Sequence, residues 1–108
     1  MSRPTITLTQ LRAANVSRCE TFHAIGEWSE TDYACALAGE VGELCNLIKK
    51  RRRGDDIPPA MLADEIADVL IYLDLLAARL GIQVDGAVVR KFNAWSVSKG
   101  LPQRLELR

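Results

Sequence analysis

The sequence predicts an all-α domain, a four-helix-type bundle that oligomerises through its helix faces. Three observations carry that prediction. Apolar residues recur at helical spacing along most of the chain, and no stretch keeps the alternating period of a half-buried strand. The four prolines, at positions 4, 58, 59 and 102, all fall outside the periodic segments. Glycine stands at 26, 54, 81 and 100, where each helix would end. A chain of 108 residues, 48% hydrophobic and 26% charged, has the size and composition of one globular domain, taken here as residues 1–108. At this length a single chain hides only somewhat over roughly 60% of its unfolded surface, so wide apolar helix faces have reason to meet another copy.

The first helix is expected to begin at Thr7 or Thr9 as N-cap and to run to Ile25, stopping at Gly26. Its apolar positions, Leu8, Leu11, Val16, Cys19 and Phe22, are loosely periodic. Ser29 or Thr31 caps a second helix over 32–53, in which Leu37, Val41, Leu44, Leu47 and Ile48 share one face intended for burial. The run Lys49-Lys50-Arg51-Arg52-Arg53 suits the negative end of that helix dipole. After a loop through Asp55 and Asp56, Pro59 opens a third helix over 59–80. Leu62, Ile66, Val69, Leu70, Leu73, Leu76, Ala77 and Leu80 give it the widest apolar stripe in the chain. A fourth helix over 84–98 carries Val88, Val89, Phe92 and Trp95, and Gly100-Leu101-Pro102 releases a short tail.

Fourteen basic residues balance fourteen acidic ones, which leaves no net field to attract nucleic acid or an anionic membrane. The apolar run from Val69 to Leu73 ends at Asp74, far short of the roughly 20 residues of a membrane span. Met1-Ser2-Arg3-Pro4 leads into a polar, Thr-rich stretch with no signal-peptide character. Cys19, Cys35 and Cys45 are an odd number at helical positions and read as buried thiols in a reducing compartment. These features predict a cytoplasmic protein that binds neither nucleic acid nor membrane.

Charge is nevertheless segregated. Residues 26–48 hold five acids and no base, residues 54–74 hold six acids and no base, and residues 79–108 hold six bases and two acids. Glu40 and Glu43, spaced i, i+3, share one side of the second helix; Glu65 and Asp68 repeat the spacing on the third. Both pairs lie among apolar neighbours, where carboxylates rarely stand without partners. A short loop between antiparallel helices would bring the pairs face to face. Four ionised carboxylates there repel one another with no base to neutralise them, and a hard divalent cation is the simplest remedy. All-oxygen donors favour Mg²⁺ or Mn²⁺ over zinc. Gly39, Gly42 and Ala67 beside the acids leave room for a helix or ligand to approach the backbone. Solvated acidic helix faces are the alternative.

The pattern Glu40-x-x-Glu43, 21 residues, Glu65-x-x-Asp68 resembles the metal-binding signature of the MazG-like all-α nucleotide pyrophosphohydrolases. The flanking words Gly39-Glu40-Val41-Gly42-Glu43-Leu44 and Asp64-Glu65-Ile66-Ala67-Asp68-Val69-Leu70-Ile71-Tyr72-Leu73 are similar too. Lys91-Phe92-Asn93-Ala94-Trp95-Ser96 with Lys99-Gly100-Leu101-Pro102 resembles the segment after the last core helix in short members. The resemblance covers about residues 30–105. It implies hydrolysis of a nucleoside triphosphate between the α and β phosphates to monophosphate and pyrophosphate, in cleansing of the nucleotide pool. It also implies Mg²⁺ on Glu40, Glu43, Glu65 and Asp68; one of the glutamates, Glu43 in the present reading, could instead orient or deprotonate the attacking water. Short members of the family form homodimers or homotetramers, which is the assembly expected here.

Further residues are candidates for holding the nucleotide. Tyr72 lies four residues after Asp68, on the side of the acids, and would meet the sugar or base; a core tyrosine is the alternative. Trp28 resembles the base-stacking tryptophan of dCTP-preferring relatives and suggests a pyrimidine deoxynucleotide. Lys49, just past the acids, can face a phosphate. Lys91 and Asn93 are candidates for phosphate or sugar contacts by the same resemblance and by the basic bias of the last third. His23 is read as a structural or surface residue that also has a chance of approaching the base. Glu20-x-x-His23 is half of a di-iron bundle motif whose second half is missing. A phosphoribosyl-ATP pyrophosphohydrolase-like enzyme and a non-catalytic helical nucleotide-binding or dimerisation module are the alternative functions.

Overall fold

The computed structural model describes residues 3–107, and they form four α-helices: α1 (Leu8–Glu20), α2 (Glu30–Arg52), α3 (Pro59–Arg79) and α4 (Val84–Ser98). A single 3₁₀ turn, Ile25–Glu27, lies between α1 and α2, and no strand occurs among the described residues. α2 and α3 form the most extensive helix pair, a hairpin closed by the Asp55–Pro58 loop; α1 packs on α3, and α4 meets the rest mainly through α1. No helix among the described residues is long and apolar enough to cross a membrane.

Helix ends follow local chemistry. Thr7 and Ser29 cap α1 and α2 through reciprocal capping boxes with Gln10 and Asp32. α2 and α3 stop at glycines with positive φ, Gly54 at 103° and Gly81 at 72°. The Ile82 N–H then donates to the Ala77 carbonyl at 2.8 Å and the Asp55 N–H to Lys50 at 3.0 Å, the double-bonded stop that only a left-handed residue allows cheaply. α1 is shorter than expected: it ends at Glu20, not Ile25. The chain turns there because the Thr21 hydroxyl bonds back to the Ser17 carbonyl while Tyr33 draws in the Ile25 carbonyl.

The single chain is open. Its radius of gyration is 16.6 Å against about 13 Å for a compact domain of this length. Among the described residues, the buried ones are three apolar, Tyr33, Leu75 and Ala77, and three polar, Asn15, Asp74 and Ser96. The expected buried face of α2 is only partly covered, since Val41 and Ile48 are exposed; on α3, Ile66, Leu70, Leu73 and Leu80 are exposed as well. The cysteines depart from expectation too. Cys19 is half-buried, while Cys35 and Cys45, both on α2, are exposed. Gly39 and Gly42 meet nothing within 4 Å of an added Cβ, so no element among the described residues uses the room they leave.

Tyr33 is the most buried large side chain, 1% exposed, and donates its hydroxyl to the Ile25 carbonyl at 2.9 Å. Burial first, then the neighbouring Cys19, pushes its phenol up to about 12. The folded form therefore holds the proton more tightly than the unfolded chain, whose tyrosines titrate near 10. Its stabilising contribution is intact below pH 10 and is lost as pH rises toward 12. Tyr33→Phe should lower stability by about 1 kcal/mol at pH 8. That gap should narrow between pH 10 and 12, as read from urea unfolding across the range.

Candidate active site

The α2–α3 hairpin brings three of the four motif acids together. Glu40 and Glu43 project from one side of α2 and Glu65 from the facing side of α3, with one oxygen of each within 4.8 Å of the others. Glu40 and Glu65 are half-buried and Glu43 is exposed. The Oε2 atoms of Glu40 and Glu65 are sealed from solvent with no hydrogen-bond partner among the described residues. The ion pairs among those residues, Arg12–Asp74 and Arg53–Asp55, leave the group untouched. Burial, the charge of Glu43, and then Glu40 and Asp68 push the Glu65 carboxyl above its ordinary range. An all-oxygen, anionic and under-satisfied donor set fits a hard divalent cation.

Asp68 stands outside this three-way group. It is half-buried on α3, one turn beyond Glu65, and forms part of the wall of an adjoining cleft of about 280 Å³. Asp68 thus links the acidic cluster to a recess of the size that holds part of a small ligand. Tyr72 and Trp28 both line it, together with His23, Tyr33 and Asn15. Trp28 stacks on His23 with ring centroids 4.8 Å apart and planes 11° apart, and tilts against Tyr33 at 5.2 Å. Arg79 of α3 donates to the Trp28 carbonyl at 2.9 Å and ties the loop down. The His23 Nδ1–H donates to the Ala24 carbonyl at 2.9 Å, because a carbonyl can only accept.

The other nucleotide-binding candidates are not gathered here. Lys49 is exposed on the last turn of α2 and does not line the cleft. Lys91 lines a separate apolar groove between α3 and α4. Asn93 is engaged with the C-terminal tail: its Nδ2 donates to the Leu105 carbonyl and its Oδ1 accepts from the Leu105 N–H, both at 2.8 Å. Sequence reasoning missed Asn15 and Tyr33. Asn15 could have been found as a polar residue four positions after Leu11, on the apolar side of α1. Tyr33 carries no such signal, because its partners come from the irregular segment between α1 and α2.

A family profile for the MazG nucleotide pyrophosphohydrolase domain matches residues 29–94. The chain is similar to dCTP pyrophosphatase 1 of Homo sapiens, with 42% identity over 65 residues, covering 54% of this chain and 38% of the relative. The proteins of the same name from Rattus norvegicus and Mus musculus are each 40% identical over 65 residues, with the same coverage. The match thus spans well under half the length of these relatives, 38%. The profile takes in the whole hairpin that carries the acids and extends over more than half of the chain. The chain belongs to the MazG nucleotide pyrophosphohydrolase domain family.

Proposed function

We propose that this chain is a divalent-metal-dependent pyrophosphohydrolase that cleaves a nucleoside triphosphate between its α and β phosphates. One observation carries the reading: three convergent carboxylates with two orphaned buried oxygens open beside a cleft walled by a stacked aromatic pair. The family supports it, as do relatives whose name gives dCTP as their substrate, which also favours a pyrimidine deoxynucleotide.

Glu40, Glu43 and Glu65 would hold Mg²⁺ or Mn²⁺, with Asp68 completing the set at the border of the cleft. The bound cation supplies charge neutralisation for the polyphosphate. The chain's own residues do the rest. Glu43, the exposed member, orients the attacking water or takes its proton. Water oxygen bonds to one phosphorus of the α–β bridge, that phosphorus loses its bond to the bridging oxygen, and monophosphate and pyrophosphate separate. Trp28 stacks on the base and Tyr72 borders the sugar. Product analysis on a panel of nucleoside triphosphates should show monophosphate plus pyrophosphate, reduced at least about a hundredfold by Glu43→Gln. Release of inorganic phosphate alone, or full activity in the variant, would sink the reading.

The same cluster makes a prediction about stability. Without a cation its carboxylates repel, so Glu43→Gln should melt roughly 2–5 °C above the wild type in EDTA. Excess Mg²⁺ should reverse the order, because the cation stabilises only the intact cluster. Calorimetry in the two buffers checks this.

A second copy of the chain is the proposed cover for the apolar groove of about 520 Å³ between α3 and α4, lined by Leu73, Leu76, Leu80, Val88, Lys91 and Phe92. The chain exposes 8176 Å², against about 6,000 Å² for a compact monomer of its mass. The excess is of the order that an obligate subunit interface covers. Across such an interface Lys91 would approach a neighbour's site rather than its own. The assembly is a dimer or tetramer. Sedimentation at micromolar concentration should show it, with Leu80→Glu dissociating the subunits; a monomeric wild type would refute it.

A further inference from the structure

Asn15 is 4% exposed and lies on α1 facing α3. Its Nδ2 donates to the Ile71 carbonyl at 2.9 Å and to Asp74 Oδ2 at 3.2 Å. Both partners are acceptors only, so the amide cannot be turned over: Oδ1 in their place would set three acceptors together. Asp74 is itself held. Its Oδ1 accepts from Arg12 Nε at 2.9 Å, and Arg12 Nη2 donates to the Ile82 carbonyl at 2.7 Å. The orientation of the Asn15 side chain is thus locked through two residues behind it. Its Oδ1 accepts no hydrogen bond from any described residue, although Asn15 is one of the residues that line the cleft beside Trp28 and Tyr72. An acceptor held at a cleft wall on a side chain that neither rotates nor offers a donor there rejects a ligand that brings a second acceptor to it.

We propose that Asn15 Oδ1 is a base-reading acceptor, which admits bases carrying an exocyclic amino group and rejects their oxo counterparts. The inference rests on the nucleotide reading of the cleft given above. Asn15 and Trp28 line the same cleft, so a base seated against Trp28 can turn its edge toward Asn15. An amino group there donates to Oδ1; a carbonyl leaves two acceptors opposed and unsatisfied. Cytosine and adenine share the required donor, and the pairs dCTP/dUTP and dATP/dITP separate the amino group from ring size.

The test changes the substrate before the protein. With Mg²⁺, wild-type kcat/KM for dCTP should exceed that for dUTP by roughly 10- to 100-fold, or dATP should exceed dITP likewise. Asn15→Leu removes the acceptor, and Asn15→Ser replaces it with a hydroxyl that can also donate. Each should bring the ratio within about threefold even if overall activity falls, whereas a merely structural loss would lower both substrates together. A wild-type ratio near one for both pairs, or a wild-type ratio kept in both variants, overturns the proposal. Calorimetric binding of dCMP and dUMP to the wild-type chain separates this inference from the hydrolase reading. Turnover without preference refutes the role of Asn15 alone. Preferential binding of dCMP with no turnover of any triphosphate refutes the hydrolase and leaves Asn15 as the base reader. Neither turnover nor preferential binding refutes both.

Discussion

Everything functional in this chain depends on one conflict: two helices held together by their apolar stripes carry like charges into the same seam. Leu44 and Leu47 on α2 and Leu62 and Val69 on α3 are part-buried along these helices, and the same hairpin sets Glu40, Glu43 and Glu65 within hydrogen-bonding reach of a common point. No base is placed to neutralise them, so Glu65 keeps its proton more tightly and two oxygens go without partners. Apolar burial supplies the driving force that holds such an arrangement together, and local stability is lower where the charges meet. A bound cation would resolve the conflict at the point where the proposed polyphosphate substrate would also need it.

Behind the seam, the residues that shape the cleft are held by polar contacts rather than by a deep apolar core. Arg12, Asp74 and Asn15 tie α1 to α3, and the charged pair is partly open at Arg12 and closed at Asp74, with side chains 24% and 3% exposed. Removing one member of such a network leaves the others unpaired in a dry setting, which costs more than the network's net contribution when intact. On the opposite wall, Tyr33 draws the Ile25 carbonyl inward and Arg79 holds the Trp28 carbonyl, so the irregular segment between α1 and α2 is positioned by its backbone. Trp28 and His23 are then held stacked face to face at the cleft wall. Rigid support behind an aromatic pair and an acidic seam is the arrangement a site needs to hold a ligand in one pose.

The openness of the chain belongs to the same design. α4 is amphipathic and α3 is apolar over more than one face, yet Phe92, Trp95, Val88 and Leu80 remain exposed. A stripe wider than one neighbour can cover is the helical signature of a surface that meets two.

Much of this was legible in the residues. Helix number and type, the caps at Thr7 and Ser29, the glycine stops and the pairing of the acids all follow from short-range spacing, because caps, stops and i, i+3 neighbours are local geometry. Three things were not. Asp68 and Glu65 have the same motif status, but only the folded hairpin separates the acid in the cluster from the one in the cleft wall. The end of α1 five residues early, at Glu20, was set by contacts from Tyr33 rather than by any breaker in the chain. Asn93, a candidate for phosphate by its surroundings in sequence, binds the Leu105 backbone twelve residues away. Local spacing decides which side of a helix a residue takes. Which neighbour waits on that side is a property of the folded chain, where burial and hydrogen bonding between distant segments compete for each polar atom.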